Sequence, residues 1–153
     1  MSKHSETAKR NFLNGYNCSQ AVLLAFCEKE EDTETLLKLA SGFGGGMGRL
    51  REVCGAVTGM FMAAGLIYGY SAPKDVEAKT ELYKKIQALA AKSKQANGSI
   101  VCRELLGLSK GADSPVPEPR TENYYKKRPC ADLVAKAAEI LDEMIEQIQS
   151  ENS

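Results

Sequence analysis

From Val53 to Tyr70 the chain carries no charged residue. A stretch of that length has to be buried, either inside a helical bundle or across a membrane. Much of it is Gly, Ala and Thr, with Cys54 near its start, so its hydrophobicity is modest for lipid. The expectation is a buried central helix and no membrane partner. Gly55 and Gly59, then Gly65 and Gly69, recur at four-residue spacing and give faces on which another helix can approach closely.

The segment leading into it, "SGFGGGMGRLREVCG", holds five glycines in the seven positions 42–48, followed by Arg49 and Arg51. A phosphate loop needs Lys and then Ser or Thr after its last glycine, whereas Gly48 is followed by Arg49 and Leu50. The dinucleotide fingerprint fails too, because Met47 or Arg49 stands where its third glycine belongs, and no strand precedes it. Backbone amides and the two arginines could hold an anion. The simpler role for Gly44, Gly45 and Gly46 is a sharp turn and a close backbone approach.

The remaining pattern is helical, without sustained alternation of period two. Helices are expected over about 5–14, with Ala8, Phe12 and Tyr16 on one side, then over 18–30 capped by Asn17, and over 34–41 opened by Asp32 or Thr33. Others are expected over about 52–70 and 74–94, and over a short "IVCRELLGLS" segment at 100–109. Residues 110–128 hold three prolines and read as an irregular crossover. Pro129 is placed as the first residue of a last helix striped by Leu133, Ala137, Ile140, Leu141, Met144 and Ile148. The reading is one all-α domain, a bundle of about six helices, with a glycine-rich loop feeding a central apolar helix.

Charge excludes some partners. Twenty basic residues balance 20 acidic ones, so no global field draws the chain to nucleic acid. The run "NYYKKR" at 123–128 reads as a solvated loop packing its tyrosines. The N-terminal segment has no apolar stretch resembling a secretory signal, and a cytoplasmic, reducing location is expected. In that setting the Asn-x-Ser sequences at Asn17 and Asn97 read as chance, and the five cysteines point to thiol chemistry or metal binding rather than disulfide staples.

Four of the five fall where helices are expected to begin: Cys18 after Asn17, Cys54 after Arg51-Glu52, Cys102 three residues past Ser99, and Cys130 after Pro129. Exposed amides and the helix dipole favour a thiolate there, and Arg49, Arg51, Arg103 and Arg128 are near three of them in sequence. Cys27, toward the end of its helix, reads as packing. The four lie 36, 48 and 28 positions apart, unlike the tight pairs of zinc ribbons or ferredoxins.

"CGAVTG" at 54–59, with one cysteine upstream and two downstream, resembles the family called the C_GCAxxG_C_C putative redox-active proteins. "NCSQAVLLAF", "GFGGGMGRLREVCGAVTGMFMAAGLIYG", "CRELLG" and "RPCADLVAKAAEIL" extend the likeness from Asn17 to about Leu141. The resemblance implies a bacterial or archaeal cytoplasmic helical protein with Cys18, Cys54, Cys102 and Cys130 as its functional thiols.

Three functions compete. In thiol–disulfide or electron-transfer chemistry, a thiol-dependent oxidoreductase would use Cys54 as its nucleophile, with Arg49 and Arg51 stabilising the thiolate and a second cysteine resolving. Its partner would be a redox protein or a small-molecule disulfide. In the second reading the same four cysteines bind zinc or an iron–sulfur cluster. The third is a non-enzymatic helical binding module, a homodimer included, docking through the stripe from Leu133 to Ile148. Cys-His and Ser-His catalysis are disfavoured because the single histidine, His4, is expected in a mobile terminus.

Overall fold

The Gln20 amide donates to Asn17 Oδ1 at 2.9 Å, and the Asn17 amide donates to Gln20 Oε1 at 3.3 Å. This reciprocal cap fixes the start of helix α2 (Cys18–Ala25) at Cys18. The computed structural model describes residues 2–109 and 111–153. Lys110, the first residue of the expected crossover, lies outside the described residues. Three other helices are also capped by local side chains. Helix α1 (Lys3–Leu13) is capped by Ser2, α3 (Thr33–Ala40) by Asp32, and α6 (Val76–Asn97) by Asp75 at its start and left-handed Gly98 at its end.

Between α3 and the central helix the chain makes a short 3-10 turn (Ser41–Phe43) and a four-residue turn, α4 (Gly44–Met47), that is already left-handed from Gly45. Left-handed residues then run almost continuously: Gly45, Gly46, Met47, Gly48, Arg49 and Arg51 all have φ between 61° and 70°. The central helix α5 (Gly55–Tyr68) follows, then α6, the single turn α7 (Cys102–Leu105), α8 (Glu122–Lys127) and α9 (Cys130–Glu151). Among the described residues there is no strand, only one antiparallel bridge between Val53 and Val101. The fold is all-α.

Helices α1, α2, α5 and α9 make the centre, with α6 against α5 and α9. Phe12, Val22, Met60, Leu89, Val134 and Leu141 are its buried anchors. The α9 stripe packs inward: Ala137, Ile140 and Leu141 are buried, and Leu133 and Met144 lean on them. No helix among the described residues is long and apolar enough to cross a membrane.

Several boundaries differ from expectation. Helix α2 stops at Ala25, so Cys27 lies beyond its end, where it is buried and its thiol donates to the Leu23 carbonyl at 3.1 Å. Pro129 stands one position before α9 rather than inside it. Tyr16 lies past the end of α1, partly exposed. The crossover is not irregular throughout, since α8 forms from "ENYYKK", capped by Thr121. His4 is not in a loose tail. Its Nδ1 lies 2.7 Å from Asp142, its Nε2 2.9 Å from Glu28, and its ring stacks on Phe26.

Helices α2 and α5 approach through Gly59, where a Cβ atom would lie 2.5 Å from the Ser19 carbonyl oxygen. Gly65, on the same helix, has open space beside it. Gly59→Ala should therefore cost about 1–3 kcal/mol by overpacking. Gly65→Ala should add roughly 0.5–1 kcal/mol by lowering unfolded-chain entropy. Thermal melting of the two variants checks this. Equal shifts would mean that α2 and α5 are not in such close contact.

Candidate functional site

Three of the four cysteines singled out by sequence are the first residue of a helix: Cys18 in α2, Cys102 in α7 and Cys130 in α9. Cys54 is the residue just before α5. The bridge between Val53 and Val101 sets two of these helix starts side by side. The Cys54 amide donates to the Ile100 carbonyl at 2.7 Å, and the Cys102 amide donates to the Glu52 carbonyl. Cys54 and Cys102 thus lie diagonally across one short ladder, on the same face of it.

The glycine turn closes against this ladder. The Glu52 amide donates to the Gly46 carbonyl at 2.9 Å. Gly46 has φ +69°, and a Cβ atom there would lie 2.5 Å from the Cys102 Cβ and 2.9 Å from the Arg51 Cα. Both the left-handed backbone and the missing side chain are needed at this position. At Gly55 a Cβ would lie 2.9 Å from the Cys18 Cβ, and at Gly44 one would run into the Asn17 side chain. With Gly59 against Ser19, these contacts bring the starts of α2, α5 and α7 together, and with Cys130 of α9 all four cysteines line a single cavity of about 40 Å³. Gly45, Arg51 and Tyr124 complete the part of the wall that bears on the chemistry. Cys27 is not among its lining residues.

The four thiols are electrostatically unlike. Burial pushes Cys54 up to about 12, against the lowering effect of the Ala56 and Val57 amides. Burial also raises Cys102, opposed by Arg51, whose Nη1 donates to the Cys102 sulfur at 3.5 Å. Cys18 and Cys130 act as a pair. Its hydrogen bond with Cys130 holds the Cys18 thiol well above the usual range, with burial adding to the effect. The same hydrogen bond lowers Cys130 to about 7, and the charges of Arg128, Arg51 and Arg120 help against burial. The two thiols thus titrate as a pair, and Cys130 is the one that ionises first.

This redistributes the expected roles. Arg49 and Arg51, expected beside Cys54, reach elsewhere: Arg51 to Cys102 and Asp113, and Arg49 to the Ser114 carbonyl at 2.6 Å and Asp113 at 3.7 Å. Arg103 pairs with Glu52 rather than a thiol. Cys18 and Cys130 open onto a second cavity of about 390 Å³, lined also by Arg49, Arg51, Arg120 and Arg128.

The crossover supplies the site residues that sequence reasoning missed. Asp113 accepts from Arg51 Nε at 2.8 Å, and Glu118 accepts from Arg128 at 2.5 Å; these arginines hold both carboxyls below the usual range. Arg120 donates to the Phe12 and Tyr16 carbonyls at 2.9 and 3.0 Å. Tyr124, from the "NYYKKR" run, faces both cavities. The one sequence signal was the prolines, which keep so polar a crossover short and extended enough to lie on the bundle.

In kind, four cysteines suit zinc or an iron–sulfur cluster. In arrangement they do not stand as a ligand set, since no three His, Cys, Asp or Glu side chains among the described residues are grouped to hold a metal ion. No histidine lines the thiol cavity.

The protein is thus a helical bundle with free cysteines at or just before four of its helix starts. The chain belongs to the C_GCAxxG_C_C family, described as "putative redox-active protein", which matches residues 16–144. No curated protein and no solved structure matches the chain.

Alkylation by iodoacetamide, followed site by site by mass spectrometry, should label Cys130 with a half-maximal rate near pH 7. Above that pH the thiolate is present; below it the thiol is protonated and slow. Cys18→Ala removes the donated hydrogen bond, so the Cys130 profile should move to higher pH. Cys54 should stay unlabelled until far more alkaline conditions. An unshifted Cys130 profile in both proteins would show that no such pairing exists.

Proposed function

We propose that the chain is a dithiol–disulfide oxidoreductase in which Cys130 attacks and Cys18 resolves. The observation that supports it is that Cys18 and Cys130 together line a cavity large enough for a small molecule, with Cys130 held below the usual thiol range. Cys130 replaces Cys54 as the attacking thiol because burial keeps Cys54 protonated at neutral pH.

The reaction balances as follows. The Cys130 thiolate attacks one sulfur of a disulfide, forming a mixed disulfide and expelling the other half as a thiolate. Cys18 then attacks the Cys130 sulfur and gives its proton to a departing thiolate. An intramolecular Cys18–Cys130 disulfide forms, two electrons pass to the substrate, and its halves leave as one thiol and one thiolate, the latter taking a proton from water. Once Cys130 is in the mixed disulfide, the hydrogen bond and charge that raised Cys18 are gone, so the resolving thiol becomes easier to ionise at the step that needs it. An external dithiol reductant closes the cycle by the reverse exchange.

Cys54 and Cys102 lie behind the pair as protonated thiols, with Arg51 bracing Cys102. Gly44, Gly45, Gly46, Gly55 and Gly59 hold the backbones close enough for the helix starts to meet.

Oxidation by a disulfide reagent, read by intact mass and peptide mapping, tests this. The product should lose about two daltons per bridge, with Cys18 joined to Cys130. Cys130→Ser should abolish exchange, and Cys18→Ser should trap the mixed disulfide on Cys130. Cys54→Ala should still form the bridge. A four-thiolate metal site would instead lose function with any of the four cysteines. A metal-sized mass in protein purified without oxygen, lost on acidification, would overturn the dithiol reading.

A further inference from the structure

The cavity at the mouth of the Cys18–Cys130 pair gathers more positive charge than the thiol chemistry by itself needs. Arg49, Arg51, Arg120 and Arg128 all line it, in a chain whose basic and acidic residues balance. Two carboxylates answer these four cations. Asp113 is shared between Arg51 and Arg49, at 2.8 and 3.7 Å, and Glu118 is held by Arg128. Among the described residues Arg120 has no carboxylate partner. Its guanidinium donates to two backbone carbonyls and lies 4.1 Å above the centre of the Phe12 ring. Carbonyl oxygens and an aromatic face fix a guanidinium in place without neutralising it. A Cys130 thiolate removes one charge from the balance, and a positive excess still remains. Arg51 is only 5% exposed, so salt screens it little.

The cavity volume of about 390 Å³ falls in the range of small-molecule sites. Both thiols reach its wall, so a disulfide bound there lies beside the attacking sulfur. The planar guanidinium fork matches a carboxylate. Resting on the dithiol reading, we propose that the substrate is a small disulfide bearing carboxylates, one of which is received by Arg120 beside the Cys18–Cys130 pair. The same cations stabilise the thiolate that departs when the substrate S–S bond breaks.

Three disulfides of matched length separate charge from chemistry: anionic dithiodipropionate, neutral bis-hydroxyethyl disulfide and cationic cystamine. The rate at which the reduced protein reduces each is divided by that of a small free thiol with the same disulfide, which removes leaving-group differences. Dithiodipropionate should be preferred over the neutral compound by roughly tenfold, with cystamine slowest, and the preference should shrink as salt rises. Arg120→Gln should lower the anionic-to-neutral rate ratio, whereas Arg120→Lys, which keeps the charge, should retain most of it. Circular dichroism confirms that both variants are folded before they are compared. Equal normalised rates for the three compounds, or a preference for cystamine, would overturn the substrate assignment while leaving the dithiol reading standing. If none is reduced and no Cys18–Cys130 bridge forms, the dithiol reading itself falls.

Discussion

Helices α2 and α5 meet backbone to backbone at their starts, and the site takes its positions from that contact. Gly59 faces the Ser19 carbonyl and Gly55 faces Cys18, so the start of α2 is pinned to the start of α5. The bridge from Val53 to Val101 then brings α7 to the same place, and α9 enters from the far side with Cys130. A larger residue at Gly59 would separate the helix axes and pull Cys18 away from the other thiols. The uncharged run from Val53 to Tyr70 is therefore more than core filler. Its small residues determine how near two helix starts can come, and hence whether their cysteines can meet.

Bringing four thiols into one cavity does not by itself make them reactive. Burial works against every thiolate, and the helix dipole alone is too weak to offset it. Cys54 has two amides of its own helix and still rises to about 12. Cys130 is instead lowered by its pairing with Cys18 and by the charges of Arg128, Arg51 and Arg120. Arg128 is two residues away, but Cys18, Arg51 and Arg120 are neighbours supplied by tertiary contact rather than by position in a helix.

That distinction also separates what could be read in the sequence from what could not. The all-α fold, the cap at Asn17 and the helix starts near all four cysteines follow from local signals such as Asn17, Ser99 and Pro129. The close approach at the glycines follows from composition, although the near-continuous left-handed path through Met47, Arg49 and Arg51 does not, since non-glycine residues rarely adopt it. The choice among the thiols was hidden. Arg51 stands three residues from Cys54 yet donates to Cys102, 51 positions away, and its carboxylate partner Asp113 is 62 positions away. Proximity in sequence pointed to Cys54, whereas Arg51, itself in a left-handed turn, reaches Cys102. The stretch that carries Asp113, Glu118 and Arg120 read only as an irregular crossover, since its polar residues gain their meaning only against surfaces distant in sequence.

On the dithiol reading, the charge of the pocket changes with the state of the pair. The reduced site carries the Cys130 thiolate, and the oxidised site has exchanged that charge for a neutral S–S bond. Four arginines against two carboxylates leave the pocket positive in either state, by less when reduced than when oxidised. With one arginine fewer, the reduced pocket would be close to neutral and would offer an anionic substrate little attraction. Attraction in the reduced state thus requires a cation that no carboxylate balances, and Arg120, held by carbonyls and a ring instead, is the residue that meets this requirement. By linkage, the same excess makes the oxidised pocket the better anion binder. Bound anions therefore favour the disulfide and make the dithiol a stronger reductant.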